Sequence, residues 1–107
     1  NNKILSLLGF AAKAGVLSYG FEATVSAVLG GKARLVLIAE DISAKSRKEV
    51  VFFANKKNIK NITLKEINLK TVSDAVGRKC GIIADNVEGF AKAFLKALIE
   101  GGIADDQ

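Results

Sequence analysis

The sequence predicts an α/β fold with helices on both faces of a central sheet. Apolar residues at helical spacing alternate with short aliphatic runs along the chain, and that alternation is typical of helix-covered sheets. The clearest run, residues 35–39, is continuously aliphatic, as expected for a strand buried on both faces. No repeated or low-complexity stretch interrupts this order. We therefore expect one domain over residues 1–107, half of which are hydrophobic, with a core of its own.

Five segments carry the helical pattern of one apolar face. Their approximate bounds are residues 2–14, 20–29, 43–57, 68–77 and 86–100. Ser43 and Asn68 are expected to cap the third and fourth helices, because their side-chain oxygens can accept from free N–H groups of the first turn. Asp85 or Asn86 is expected to do the same for the fifth helix. Glycines follow the first, second and fourth helices, where left-handed backbone is common.

Four short apolar segments are expected to be strands. They are residues 16–19, 35–39, 62–67 and 81–84. Because residues 35–39 lack polar side chains, they are expected in the centre of the sheet. Residues 62–67 alternate between apolar and polar side chains, so this strand is expected nearer an edge.

The basic residues are concentrated in the first part of the chain. Residues 1–60 contain ten basic and four acidic side chains, a net charge of +6, whereas residues 61–107 contain six and seven, a net charge of −1. A basic half beside a neutral half favours an anionic partner such as nucleic acid, since bound phosphates release counterions. The same charge is compatible with ordinary solubility. Composition alone leaves both interpretations open.

The sequence contains little that a catalyst requires. Histidine, the usual acid–base group and metal ligand near neutral pH, is absent. Cys80 has no imidazole to activate it and is expected to be a small buried hydrophobic residue. None of the ten glycines forms a dinucleotide-binding or P-loop motif. We therefore expect no enzymatic activity, no cofactor and no metal, and a small enzyme on a Rossmann-like core is the least favoured alternative.

Two features of the sequence bear on the cellular location of the protein. No apolar run approaches the roughly 20 residues needed to cross a bilayer. A single cysteine cannot form an internal disulfide, so nothing in the sequence favours secretion. We therefore expect a cytoplasmic protein without membrane contact.

Gly20 differs from the other glycines because it stands at the start of a predicted helix. A glycine there lets a ligand approach exposed N–H groups at the positive end of the helix dipole. The simpler interpretation is that Gly20 fits a tight turn and that Glu22 stabilises the dipole. The spacing alone favours neither interpretation.

Two stretches of the sequence resemble a known family signature. Residues 20–28 read GFEATVSAV, and residues 31–41 read GKARLVLIAED. They are similar to the kink-turn RNA-binding ribosomal protein family that includes the large-subunit proteins seven-Ae and thirty-e, in particular its small bacterial members. The later helices and the last strand follow in the family's order, so the resemblance covers nearly the whole chain. It implies a three-layer α/β/α sandwich on a mixed four-stranded sheet.

The resemblance also implies a mode of RNA binding. Members of this family place the start of the second helix beside tandem sheared G·A pairs of a sharply bent RNA, and the loop before the last strand supports a flipped-out nucleotide. A kink exposes base edges that an A-form helix hides. Gly20 matches the family's glycine, while Glu22, Ala23 and Ser26 stand where Asn, Glu and Lys are typical. Residues 77–80 occupy the position of the second RNA-contacting loop and keep its positive charge.

We therefore predict a non-catalytic, ribosome-associated and monomeric protein that recognises kinked or bulged RNA, such as a ribosomal or riboswitch-like kink-turn. The residues expected to contact RNA come from the second helix, two loops and two separate lysines. They are Gly20, Phe21, Glu22, Ala23, Ser26, Lys13, Lys32, Asp41, Ile42, Gly77, Arg78 and Lys79. The two lysines are equally compatible with solvated surface positions. The alternative is a protein–protein interaction module that keeps the fold but has lost specific kink-turn recognition.

Overall fold

A computed structural model describes residues 2–101 as five helices and four strands. The helices are α1 (Asn2–Lys13), α2 (Phe21–Leu29), α3 (Ala44–Lys56), α4 (Leu69–Val76) and α5 (Glu88–Gly101). The strands are β1 (Leu17–Tyr19), β2 (Leu35–Ile38), β3 (Asn61–Thr63) and β4 (Ile82–Asp85). Helices and strands alternate along the described chain, as the sequence pattern predicts.

The strands form one mixed sheet in the order β1-β4-β2-β3. β4 pairs antiparallel with both β1 and β2, whereas β2 and β3 are parallel. The two central strands, β2 and β4, are buried along their whole length, because helices cover both of their faces. The predicted mixed four-stranded sheet is confirmed.

The helices are divided between the two faces of the sheet. Val36 and Ile38 of β2 pack with α2 and α3, whereas Leu35 and Leu37 point to the other face and pack with α1, α4 and α5. This alternation follows from the two-residue period of a strand. We call the first group of helices the α2–α3 layer and the second the α1–α4–α5 layer. The predicted three-layer α/β/α arrangement is therefore confirmed.

The local signals at helix ends are largely confirmed. The Ser43 hydroxyl accepts from the Ser46 N–H at 3.2 Å, and the Asn68 side-chain oxygen accepts from the Thr71 N–H at 2.9 Å. Gly77 ends α4 with a left-handed φ of 78°. Each of these contacts spans three residues or fewer, so the sequence carries the whole signal.

Several local predictions are wrong. The third strand is shorter than residues 62–67 and ends at Thr63, although Leu64 beyond it remains buried. The fifth helix begins at Glu88 and not directly after Asp85 or Asn86, because Asp85 completes β4 by pairing with both neighbouring strands.

The structure also corrects side-chain exposure at three positions. The apolar faces of the second and fifth predicted helices include Leu29 and Val87, but both are more than 40% exposed, Leu29 as the last residue of α2 and Val87 directly before α5. The charged residues around Arg47 in the sequence predict a solvated position for it on α3. It is half-buried, and its guanidinium donates to the backbone carbonyls of Glu40 and Ile42.

Candidate nucleic-acid interface

The junction between β1 and α2 requires glycine for backbone reasons. Gly20 has φ 92° and ψ 170°, a conformation that side chains with a Cβ rarely adopt. A Cβ added at this position would meet no atom within 4 Å, so packing does not exclude a side chain. The Gly20 N–H donates to the Ile82 carbonyl at 2.7 Å, which fixes the start of α2 against the first residue of β4.

The amino-terminal end of α2 is open to solvent. Glu22 and Ala23 are exposed, and Phe21 is half-buried. The Thr24 N–H makes the first helical hydrogen bond, to the Gly20 carbonyl at 3.0 Å, and Gly20 provides no side-chain cap for the N–H groups that precede it. Free N–H groups at a helix start carry the positive end of the helix dipole. This end of α2 is therefore suited to accept an anionic or electron-rich group.

Two loops lie at the same edge of the sheet as this helix start: the turn after β2, which contains Asp41 and Ile42, and the loop before β4, which contains Arg78 and Lys79. Because β2 and β4 are antiparallel, the end of β2 lies beside the beginning of β4. A shallow groove of about 380 Å³ results between the start of α2 and these loops. It is lined by Gly20, Phe21, Asp41, Ile42, Ser43, Ser46, Leu69, Cys80, Gly81 and Ile82.

The basic loop before β4 reaches this edge through a stacking contact. The Arg78 guanidinium carbon lies 4.6 Å from the centre of the Tyr19 ring, and Tyr19 directly precedes Gly20. A guanidinium over an aromatic face is attracted by the ring quadrupole. Arg78, Lys79 and Gly77 are all exposed, so the Arg78 guanidinium remains accessible beside Tyr19, and Lys79 follows it in the same loop.

A polar side chain fixes the shape of this loop. The Ser73 hydroxyl accepts from the Cys80 N–H at 2.9 Å and donates to the Cys80 carbonyl at 3.0 Å. Cys80 itself is buried, as expected for a small hydrophobic residue. Burial raises the pKa of its thiol, an effect that the nearby Arg78 opposes. A buried thiol of raised pKa is a poor nucleophile at neutral pH.

The turn after β2 has a structural role in the groove. The Asp41 carboxylate accepts from the Leu69 N–H at 2.8 Å and so binds the free N–H of the first residue of α4. Ile42 packs over Gly81, where an added Cβ would lie 2.5 Å from its terminal methyl group. Asp41 therefore joins two elements of the fold, and a side chain at Gly81, directly before β4, would displace the end of the Ile42 side chain.

The remaining predicted positions lie in two different places. Ser26 is exposed on α2, one turn after Glu22. Lys13 and Lys32 precede β1 and β2, at the opposite edge of the sheet from Gly20. A strand of three or four residues separates the two edges by roughly 10 Å. The structure therefore does not bring these two lysines together with the α2 start, the turn after β2 and the basic loop.

Tyr19 and Ser73 are contributors that sequence reasoning missed. Tyr19 is the only tyrosine of the chain and stands directly before Gly20, so its position was a usable signal. Ser73 contacts a residue seven positions away, across the end of α4, and no local pattern indicates that contact. Within residues 2–101, no group of three potential metal ligands converges, and no helix has the length and apolarity to span a bilayer.

The fold and this surface together define a class of protein: a small α/β/α sandwich that presents an open helix start and a basic loop at one sheet edge. The model of the ribosomal protein L7Ae/L30e/S12e/Gadd45 family matches residues 2–95. The chain belongs to that family.

Individual relatives agree with this assignment. The chain is 34% identical over 102 residues to a protein named RNA-binding protein YlxQ from Enterococcus faecium, covering 92% of this chain and 93% of that protein. A solved structure of a protein of unknown function from Bacillus halodurans is 30% identical, with a TM-score of 0.84 over 94% of this chain and 99% of the other. A 15.5kD RNA-binding protein from Giardia lamblia, at 18% identity, shows the same fold with a TM-score of 0.71 over 95% and 85% of the two chains.

Proposed function

We propose that this protein is a non-catalytic, ribosome-associated protein that binds kinked, structured RNA in the cytoplasm. The RNA backbone and the exposed base edges lie against the start of α2, and Arg78 and Lys79 hold neighbouring phosphates. The observation that carries this proposal is the uncapped helix start beside two exposed cations. Membership of the family and the RNA-binding name of the Enterococcus faecium relative support it.

The side chains of α2 suit a kinked RNA in a way that departs from the family motif. Glu22 is exposed in the first turn of the helix, where the dipole favours its negative charge. Its carboxylate accepts hydrogen bonds only, and guanine exposes an amino donor. Sheared G·A pairs present guanine edges, so Glu22 replaces the accepting group of the usual motif. Ala23 and Ser26 place only small side chains on the rest of this face of α2.

Affinity for a kink-turn RNA and for a straight duplex of the same composition tests the proposal. Both are measured at about 50 mM and 200 mM salt, since each neutralised phosphate steepens the salt dependence. The kink-turn RNA is expected to bind more tightly at both concentrations. Equal affinities with a steep salt slope would mean attraction to the backbone alone and would contradict kink recognition.

A charge-matched pair of variants locates the contact. Arg78→Gln with Lys79→Gln is expected to weaken kink-turn binding and to reduce the slope of log K against log salt by about 2. The control, Lys92→Gln with Lys96→Gln, removes the same charge from exposed positions of α5. If both double variants lose the same affinity, then net charge and not the loop before β4 is responsible.

The three departures from the family motif favour one alternative, a protein–protein interaction module without kink-turn recognition. All three positions are exposed, so their side chains can be exchanged without disturbing the core. Glu22→Asn, Ala23→Glu and Ser26→Lys together restore the usual motif. If the natural chain fails to bind kink-turn RNA and the triple variant binds it, the natural chain has lost kink-turn recognition, as the alternative requires. If the natural chain already binds selectively, the alternative is excluded.

A further inference from the structure

The positive charge of this protein is concentrated in one segment that the proposed RNA site does not use. Residues 44–65 contain seven basic side chains and one acidic side chain, a net charge of +6. The whole chain has a net charge of +5, so the remaining residues together sum to −1. This segment forms α3, β3 and the turns beside them. A field of one sign on one side of a protein attracts an oppositely charged partner.

The exposed side chains of α3 form a single stripe. Lys45, Lys48, Phe52 and Lys56 are spaced by three, four and four residues, which places them on one face of a helix. All four are exposed, and the stripe extends about 17 Å at 1.5 Å per residue. Glu49 is the one acidic residue on this face. We call these four residues the α3 stripe.

The aromatic residue at the centre of the stripe is held in place. Phe52 is 58% exposed, so its ring is accessible to a partner. Its ring meets the Phe53 ring edge to face at a centroid distance of 5.3 Å, and Phe53 packs on the core of the α2–α3 layer. The Lys56 ammonium lies 5.9 Å from the Phe52 ring centre. An oriented aromatic ring between cations is the arrangement on which nucleic-acid bases stack while their phosphates are neutralised.

The stripe begins at the same end of α3 as the candidate RNA site. Ser43 and Ser46 at the start of α3 line the same groove as Gly20 and Phe21, and Lys45 lies in the same turn of α3, about 100° around the helix from Ser46. α3 runs from that edge of the sheet towards the opposite one, because it connects the end of β2 to the start of the parallel strand β3. A strand that leaves the groove can therefore reach the stripe by passing around the first turn of α3, and it can then follow the helix.

The lysines of the stripe are available for an external partner. The ion pairs found within residues 2–101 are Lys3–Glu100 and Lys70–Asp74, and both belong to the α1–α4–α5 layer. Beyond the stripe, Lys57 and Lys60 are exposed and continue the positive charge toward Arg34, which precedes the neighbouring strand β2.

We propose that the α3 stripe is a second RNA-binding surface, which holds a single-stranded segment that flanks the structured RNA bound at the start of α2. Lys45, Lys48 and Lys56 neutralise successive phosphates, and Phe52 stacks on a base. This inference rests on the proposed function, because it takes the groove at Gly20 as the point where the strand leaves the structured element.

The test compares one kink-turn RNA with and without a uridine extension of about ten nucleotides, a length that such surfaces hold. The extension is placed at each end in turn. The wild-type protein is expected to bind one of the extended RNAs about tenfold more tightly at low salt. The variant Lys45→Gln, Lys48→Gln, Lys56→Gln is expected to lose this gain and to bind the unextended RNA as the wild type does. Its salt slope for the extended RNA should fall by about 2.

Control variants separate the stripe from net charge and from folding. Lys70→Gln, Lys92→Gln and Lys96→Gln remove the same charge from the α1–α4–α5 layer and should keep the gain. Phe52→Leu is expected to reduce the gain, while Phe52→Tyr should preserve it, because a phenol ring also stacks. Glu49→Gln removes the acidic residue of the stripe and should increase the gain.

The outcomes distinguish this inference from the proposed function. If the protein binds the unextended kink-turn RNA selectively but neither extension raises its affinity, then RNA binding by the α3 stripe is contradicted and the proposed function is not. A gain that survives in the Lys45, Lys48, Lys56 variant, or that is lost equally in the charge control, also contradicts RNA binding by the α3 stripe. If the wild-type protein binds kink-turn RNA and straight duplex equally well, then both the proposed function and RNA binding by the α3 stripe are contradicted.

Discussion

The two layers that cover the sheet differ in composition and in what they contribute. The α1–α4–α5 layer packs the largest fully buried side chain, Phe94, together with Ile4, Leu8 and Leu98. The α2–α3 layer packs mainly smaller residues, but it contains the open start of α2 and most of the excess positive charge. Most of the large buried side chains and most of the excess positive charge therefore lie on opposite faces of the sheet, while the loop with Arg78 and Lys79 joins α4 to β4. Substitutions in the core of the α1–α4–α5 layer should therefore lower stability with little effect on RNA affinity. Substitutions of exposed residues in the α2–α3 layer should change RNA affinity with little effect on stability.

The largest effect is expected in the core of the α1–α4–α5 layer. Phe94 is fully buried, so Phe94→Ala removes apolar contacts and leaves a cavity. We expect the free energy of unfolding to fall by about 3–5 kcal/mol, measured by denaturant titration. At a temperature where the variant is still folded, its RNA affinity should equal that of the wild type. An RNA affinity that falls without a loss of stability would break the separation between the layers.

A buried carboxylate on the same side of the sheet provides the second test. Asp85 ends β4 with no solvent exposure, and only one of its carboxylate oxygens has a partner, the Val87 N–H at 3.3 Å. Burial raises the pKa of the Asp85 carboxyl from 3.8 to about 6, the Val87 N–H opposes the rise, and Glu88 adds to it. The folded protein therefore binds more protons than the unfolded chain between these two values.

The sign of the pH effect follows from that excess of protons. The stabilising contribution of protonated Asp85 is complete below the unfolded pKa, falls as pH rises through about 6, and is absent above it. The change is on the order of 2 kcal/mol between pH 4 and pH 7. Asp85→Asn should remove this part of the pH dependence, measured by urea unfolding across that range. Identical pH profiles for the two proteins would show that Asp85 titrates normally.

Gly20 gives the smallest of the three effects on stability, and it lies on the partner-binding side. Gly20→Ala forces a side chain into backbone geometry that only glycine adopts easily, so we expect a loss of about 1–3 kcal/mol. The control is Gly89→Ala in α5, where the backbone is helical and an added Cβ meets nothing. That variant should be neutral or more stable by about 0.5–1 kcal/mol. Equal thermal stabilities for the two variants would contradict the backbone requirement at Gly20.

The sequence predicts the fold well because its signals are local. The aliphatic residues of β2, the capping side chains of Ser43 and Asn68 and the left-handed Gly77 each act within a few residues. The contacts that escaped prediction join distant parts of the chain. Asp41 binds the backbone of Leu69, 28 residues later, and no local pattern encodes such a pair.

The candidate site is only partly predictable for the same reason. Gly20 could be predicted as a binding position because it is a glycine at the start of a helix. Arg78 and Lys79 could be predicted because they form a basic loop before a strand. Lys13 and Lys32 were grouped with them because they are basic, but strand order and direction place both lysines at the other edge of the sheet. A single sequence gives the elements and their order along the chain. It does not show which ends of the strands lie side by side in the sheet.

The most direct test of RNA binding at the α2 edge is an NMR titration of the backbone amides with a kink-turn RNA. We expect the largest changes in amide signals at residues 20–23 and at Arg78 and Lys79, while the signals of Lys13 and Lys32 change little. Unchanged signals at residues 20–23, with the largest changes at the opposite edge of the sheet or on the α1–α4–α5 layer, would contradict this expectation.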